Sequence, residues 1–269
     1  MSARLRVWLL VGGAAAAAAG IAVGVTLATR TSVPKRQSPA PPLADDPTAP
    51  LQLVGGVRDA LRAWPSGTVR RLRILAADHP RSALVRFELG LALAAGGDAP
   101  AAQQAWRGAV RAQPDSPSAV YAENALHPEA PRNNPPFVPA FTRPRTPAER
   151  LLVRGIVLQA ALRPLSAERA FAGAARLAPN DPEAQVAAAV GLYDKDRPAL
   201  AFSRLGPLVR RFPHAQTVRF HLGLLLIYIR QVGPARRELA LARAEGPGTP
   251  LGKRAQLLLA ASHKPTHKP

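Results

Sequence analysis

The chain has no cysteine. Disulfides, thiolate metal sites and cysteine nucleophiles are therefore excluded, while the redox compartment stays open. Negative charge is also scarce: 17 Asp and Glu stand against 36 Lys and Arg, a formal net charge of +19. Within that excess lysine is rare, at five residues, so 36 − 5 = 31 of the basic residues are arginine. An Ala/Arg-heavy, Lys-poor composition is what a GC-rich bacterial genome would produce, which leaves codon usage open beside binding as a source of the charge. Charge alone leaves acidic partners, anionic lipid and nucleic acid open. Catalytic signatures are missing as well. There is no phosphate-binding glycine loop and no Gly-x-Ser-x-Gly elbow. The acid pairs Asp45-Asp46 and Asp194/Asp196 fall in a linker and a turn. His79 and His214 sit beside prolines at helix ends. His263 and His267 have metal-like spacing, but the prolines beside them spoil a helix. The chain reads as a non-enzyme without cofactor or metal, whose function comes from its surfaces.

What is present begins with residues 7–29, "VWLLVGGAAAAAAGIAVGVTLAT", behind a short tail over 1–6. These 23 uncharged residues reach roughly 34 Å as a helix, enough to cross a bilayer core. A secretory signal core is about 7–15 residues long, so the expectation is an uncleaved transmembrane anchor, with a cleaved signal as the alternative. Basic residues flank both sides, and the habit of single N-terminal anchors places the rest of the chain outside the cytoplasm. Gly12, Ala16, Gly20, Gly24 and Ala28 share one face, a small-xxx-small stripe that would permit self-association. Residues 30–48 are proline-rich and read as a solvated spacer.

Beyond the spacer a 34-residue period emerges. With Pro179 at position 32, positions 8, 20, 24 and 27 fall on Gly155, Ala167, Phe171 and Ala174. The next period holds Ala189, Ala201, Leu205, Leu208 and Pro213 at the same five positions. The one after holds Gly223, Ala235, Leu239, Ala242 and Pro247. Upstream come Gly90, Ala102, Trp106, Ala109 and Pro114, and before them the weaker Gly56, Thr68, Leu72, Leu75 and Pro80. Small residues let two antiparallel helices approach, the large one fills the groove between them, and the proline ends the second helix. One such hairpin cannot bury both of its faces and needs neighbours. The units are 49–82 and 83–116, then 148–181, 182–215 and 216–249. Thr146-Pro147-Ala148-Glu149 is a capping box, and Asp181-Pro182 and Thr249-Pro250 open helices in a similar way. The last opens a closing helix over 250–262, before a basic tail over 263–269. The insert, 117–147, starts helical to about Leu126 and turns proline-rich. It reads either as a loop over the seam between repeat blocks or as a segment that occupies the binding groove.

This pattern resembles the tetratricopeptide repeat. The resemblance implies an all-α solenoid of antiparallel helix hairpins, here behind one transmembrane helix. It also implies that positions 2, 5, 9, 12 and 13 line a concave groove. In this chain those include Phe87 and Leu91; Leu152, Ile156 and Gln159; Glu183, Val186, Val190 and Tyr193; and Phe220, Leu224, Ile227 and Tyr228. The Lys, Arg and Asn side chains that hold a terminal carboxylate in some members are absent. The groove is apolar and suits an amphipathic helix or an apolar peptide, unless a tight superhelix buries it. The expected function is a membrane-anchored scaffold that binds a partner protein, similar to bacterial envelope proteins that assist complex assembly. The alternative is binding of polyanions or anionic membrane surfaces by arginines gathered on the second helices, such as Arg70, Arg71, Arg107, Arg111, Arg210 and Arg211. Few aromatics are interleaved with them, which argues against nucleic acid.

Overall fold

The computed structural model describes residues 39–261. Twelve helices follow one another in this span, with no strand among the described residues. They are α1 (Leu51–Leu61), α2 (Thr68–Asp78), α3 (Ala83–Ala95), α4 (Ala99–Ala112), α5 (Pro117–Leu126), α6 (Pro147–Ala160), α7 (Pro164–Leu177), α8 (Pro182–Gly191), α9 (Ala199–Arg211), α10 (Gln216–Tyr228), α11 (Val232–Glu245) and α12 (Pro250–Ala261).

The α6–α7 hairpin shows why these residues fold this way. Glu149 N donates to Thr146 Oγ1 at 3.1 Å, and Thr146 N donates to Glu149 Oε2 at 3.1 Å. This reciprocal cap satisfies two amides that the helix start leaves without partners, and Pro147 has no amide to satisfy. Further along, a Cβ on Gly155 would fall on the Phe171 ring. Phe171 is wholly buried there, with Ala167 and Ala174 on the same face of α7. In the α3–α4 hairpin a Cβ on Gly90 would fall on the Trp106 indole, whose N–H donates to Phe87 O at 3.3 Å. In α10–α11 a Cβ on Gly223 would meet Leu239 at 2.8 Å. The glycines are sites of close helix approach, not of flexibility. The first hairpin is looser: Gly56 faces Leu75 at 3.4 Å, not Leu72.

The turns inside three hairpins repeat as well. Gly97, Leu162 and Arg230 all have positive φ (88°, 54° and 60°), and each lies seven residues after the packing glycine. The next amide in each case reaches back to close the helix end: Asp98 N to Leu93 O, Arg163 N to Leu158 O and Gln231 N to Leu226 O, at 2.8–2.9 Å. Leucine and arginine avoid the left-handed region, so the hairpin geometry imposes it at Leu162 and Arg230.

First helices also pack on first helices: α1 on α3, α3 on α5, α6 on α8, α8 on α10 and α10 on α12. Hairpins stacked in this way form a helical solenoid. The stack changes character after α5, a first helix that no second helix follows. There the chain runs without regular structure from His127 to Thr146 before α6 begins. Asp115 bridges the gap, accepting from Ser166 N at 3.0 Å, Ser166 Oγ at 2.6 Å and Arg163 Nη2 at 2.9 Å.

The spacer over 30–48 is not solvated throughout its described residues: Asp45, Pro47 and Thr48 are exposed, but Asp46 is not. Asp46 is buried and accepts from Ser118 N at 3.2 Å and Ser118 Oγ at 2.5 Å, so α5 draws this acidic residue onto its first turn. The anchor over 7–29, its small-residue stripe and the tail over 263–269 lie outside the described residues. Among the described residues no helix is long and apolar enough to cross a membrane.

Candidate functional site

The first helices α6, α8 and α10 present one shared face, and a stretch of the chain's own insert lies on it. Asn134 and Pro135 each precede a proline, which holds them in the extended region. From there three backbone amides donate to three helices in turn. Phe137 N reaches Gln159 Oε1 on α6 at 3.0 Å, Val138 N reaches His221 Nε2 on α10 at 2.9 Å, and Ala140 N reaches Glu183 Oε1 on α8 at 2.7 Å. Gln159 Nε2 also donates back to Pro135 O at 3.4 Å, and Asn134 Nδ2 donates to Tyr193 O at 3.2 Å. The groove thus reads main chain through side chains. Phe137 anchors the strap. Its ring is 2% exposed, meets Phe171 edge-on at 5.6 Å and stacks on His221 at 4.9 Å.

His221 is wholly buried. Its Nδ1 lies 2.8 Å from Thr217 O, which can only accept, so the proton sits on Nδ1 and Nε2 is free to accept from Val138. Burial pushes its pKa down to about 4, with Arg254 adding to the effect against the Thr217 bond, so the ring stays neutral at neutral pH. Glu183 moves the other way: burial raises its pKa to about 7 against the Ala140 hydrogen bond.

A second strap fills the corresponding face of the N-terminal block. Ala44 N donates to Glu88 Oε1 on α3 at 2.7 Å, and Tyr121 OH on α5 donates to Asp45 O at 3.4 Å. Glu88 is wholly buried, its Oε2 has no hydrogen-bond partner, and burial raises its pKa to about 7.

The groove residues expected from the repeat pattern are mostly covered. Phe87, Leu152, Val186, Val190, Tyr193, Phe220 and Leu224 are buried, and only Leu91, Ile156, Ile227 and Tyr228 stay half-buried. Leu152, Val186, Val190 and Tyr193 share one core cluster, with Ile156 and Tyr228 against it. Phe220 and Leu224 pack instead with Leu239, Ala242 and Leu251, between α10 and the helices that close the stack. Phe87 and Leu91 belong to the other block, where Phe87 meets Tyr121 at 5.8 Å. The open apolar groove that the pattern implied is therefore closed, partly by helix packing and partly by the two straps. The polar residues that hold the straps, Glu88 and His221, carry no role in the repeat pattern. A direct comparison of α3 with α10 would have marked both.

Among the described residues no group of three His, Asp or Glu side chains is placed to hold a metal ion. No protein-family model matches the chain, and no curated protein matches it.

Proposed function

We propose that the chain is a membrane-anchored, tetratricopeptide-type scaffold whose first-helix groove binds a partner protein during assembly of an envelope complex, with its repeats on the extracytoplasmic side. The observation that carries this reading is the strap: three successive amides of a non-helical segment donate to Gln159, His221 and Glu183 on three different first helices. A face that recognises backbone groups while taking one large apolar side chain can hold a segment of another protein in the same way. The repeated pairs Gly90–Trp106, Gly155–Phe171 and Gly223–Leu239 support the repeat type.

The second reading rests on the exposed arginines of the second helices, Arg70, Arg71 and Arg73 on α2 and Arg107 and Arg111 on α4. These would contact anionic lipid or an acidic polymer. Site-specific photo-crosslinking in native membranes separates the two. A protein crosslinked from Leu91 or Ile227, retained at about 0.5 M salt, supports the groove, because apolar contacts are little screened. Crosslinks that form only from Arg107 or Arg111 and vanish with salt replace the groove by the arginine face.

A further inference from the structure

Two helices in different blocks carry nearly the same sequence. Val85-Arg86-Phe87-Glu88-Leu89-Gly90-Leu91-Ala92-Leu93 on α3 and Val218-Arg219-Phe220-His221-Leu222-Gly223-Leu224-Leu225-Leu226 on α10 agree at seven of nine positions. They differ at Glu88/His221 and at Ala92/Leu225. Each meets a segment of matching pattern: Pro41-Pro42-Leu43-Ala44 for α3 and Pro135-Pro136-Phe137-Val138 for α10. In both, the fourth residue's amide donates to the one polar side chain that differs, Ala44 to Glu88 at 2.7 Å and Val138 to His221 at 2.9 Å. In both, the fourth side chain packs on the cluster that holds the shared phenylalanine, Ala44 on that of Phe87 and Val138 on that of Phe220. Glu88 and His221 are both 0% exposed.

We propose that each Val-Arg-Phe-x-Leu-Gly-Leu helix is a receptor for a Pro-Pro-large apolar-aliphatic segment, and that a partner protein bearing this four-residue pattern displaces one of the chain's own two copies. The inference rests on the partner-binding reading and specifies its ligand. The chemistry follows from the four positions. Two prolines stiffen the backbone, so little conformational freedom is lost on docking. The third residue fills an apolar pocket. The fourth must carry an N–H, because a buried acceptor left without a donor weakens the complex. The α3 site is the exchangeable one. Leu43 is half-buried, whereas Phe137 is buried and its strap is tied to helices at both ends.

The test uses the full chain in detergent micelles and two labelled peptides, one spanning residues 131–142 and one with proline in place of the valine that matches Val138. Leu43→Ala should loosen the resident strap, so the first peptide binds this variant at least about tenfold tighter than it binds the wild type, whose own segment competes at high effective concentration. The proline peptide should bind the variant at least about tenfold more weakly than the first. Adding Glu88→Gln, which keeps an acceptor oxygen, should preserve binding, and adding Glu88→Leu should remove it. Equal affinity of the two peptides, or no binding by a folded Leu43→Ala chain, overturns the inference. Should that variant lose its helical signal, a chain cut after folding at a protease site placed between Thr142 and Arg143 loosens the other strap with its packed side chains intact, and the same two peptides decide. Crosslinks from the groove without peptide discrimination leave the scaffold reading standing and remove only the ligand pattern.

Discussion

Helices α3 and α10 solve one problem with opposite chemistry. Each must offer a buried acceptor to a strap amide. In the N-terminal block the acceptor is an acid whose pKa burial raises to about 7; in the C-terminal block it is a base whose pKa burial lowers to about 4. Burial disfavours charge whatever its sign, so it moves the two pKa values past each other, from 4.5 up to about 7 and from 6.5 down to about 4, and leaves both groups neutral in mildly acidic solution. The two sites then respond to pH in opposite directions. Glu88 holds its proton more tightly folded than unfolded, so the N-terminal block loses stability as pH rises from about 4.5 through about 7. His221 holds its proton less tightly folded, so its contribution to the C-terminal block is lost as pH falls from about 6.5 through about 4. Glu183, which holds the same strap as His221, works against it: burial raises its pKa to about 7, so its contribution is lost as pH rises from about 4.5. Arg254 beside His221 disfavours the charged ring further.

The largest expected effect comes from breaking the shared helix. Phe220→Ala should cost about 3–5 kcal/mol, because a wholly buried ring leaves a cavity against Leu239 and Leu251. Denaturant unfolding followed by the helical signal measures this. The consequence corrects the sequence expectation that Phe220 is an open groove anchor: binding defects of this variant track its folding. Next come the two acceptors. Glu88→Gln should raise stability at pH 8 by on the order of 3 kcal/mol and flatten the slope between about pH 4.5 and 7. His221→Gln should flatten the slope between about pH 6.5 and 4, by a similar magnitude. Hydrogen exchange on α3 and α10, compared between each variant and the wild type, assigns each group's contribution to its block. Exchanged slopes, with α3 weakening in acid, would contradict the assignment. The smallest effect lies in the hairpin turns, where α3 is followed by Gly97 and α10 by Arg230, both at positive φ. Gly97→Arg gives the first turn the residue of the second and should cost about 1 kcal/mol, since an L side chain is strained there.

The hairpin code was legible because it is local. Gly155 and Phe171 lie sixteen residues apart, and their spacing recurs at Gly90–Trp106 and Gly223–Leu239. The capping box at Thr146 was legible for the same reason. The left-handed turns at Leu162 and Arg230 were not, since neither residue signals that conformation and only the closed hairpin demands it. The contents of the groove were harder still. Prolines 135 and 136 announce an irregular segment but do not say where it docks, and Val138 finds His221 across 83 residues of chain. Asp46 looked solvated beside Asp45 and Pro47, until Ser118 supplied its partners from 72 residues away. The match between α3 and α10 was in the sequence throughout, since both stretches fill positions 3–11 of their 34-residue units, but the repeat pattern gives no role to the sixth position, where Glu88 and His221 stand.

The two straps also differ in time. A ribosome makes Ala44 only 44 residues before Glu88, but Val138 waits 83 residues for His221. Doubling a loop adds only about 0.6 kcal/mol to its closure, so the equilibrium difference is small; the difference during synthesis is not. While α8 and α9 are being made, Phe137 already exists but the ring it will stack on does not. The C-terminal half of the molecule therefore carries an aromatic with Phe171 at its edge but no ring on its face through part of its birth, at the stage when nascent chains attract chaperones or aggregate. The N-terminal half can complete its strap once Ser118 and Tyr121, at the start of the insert, have been made.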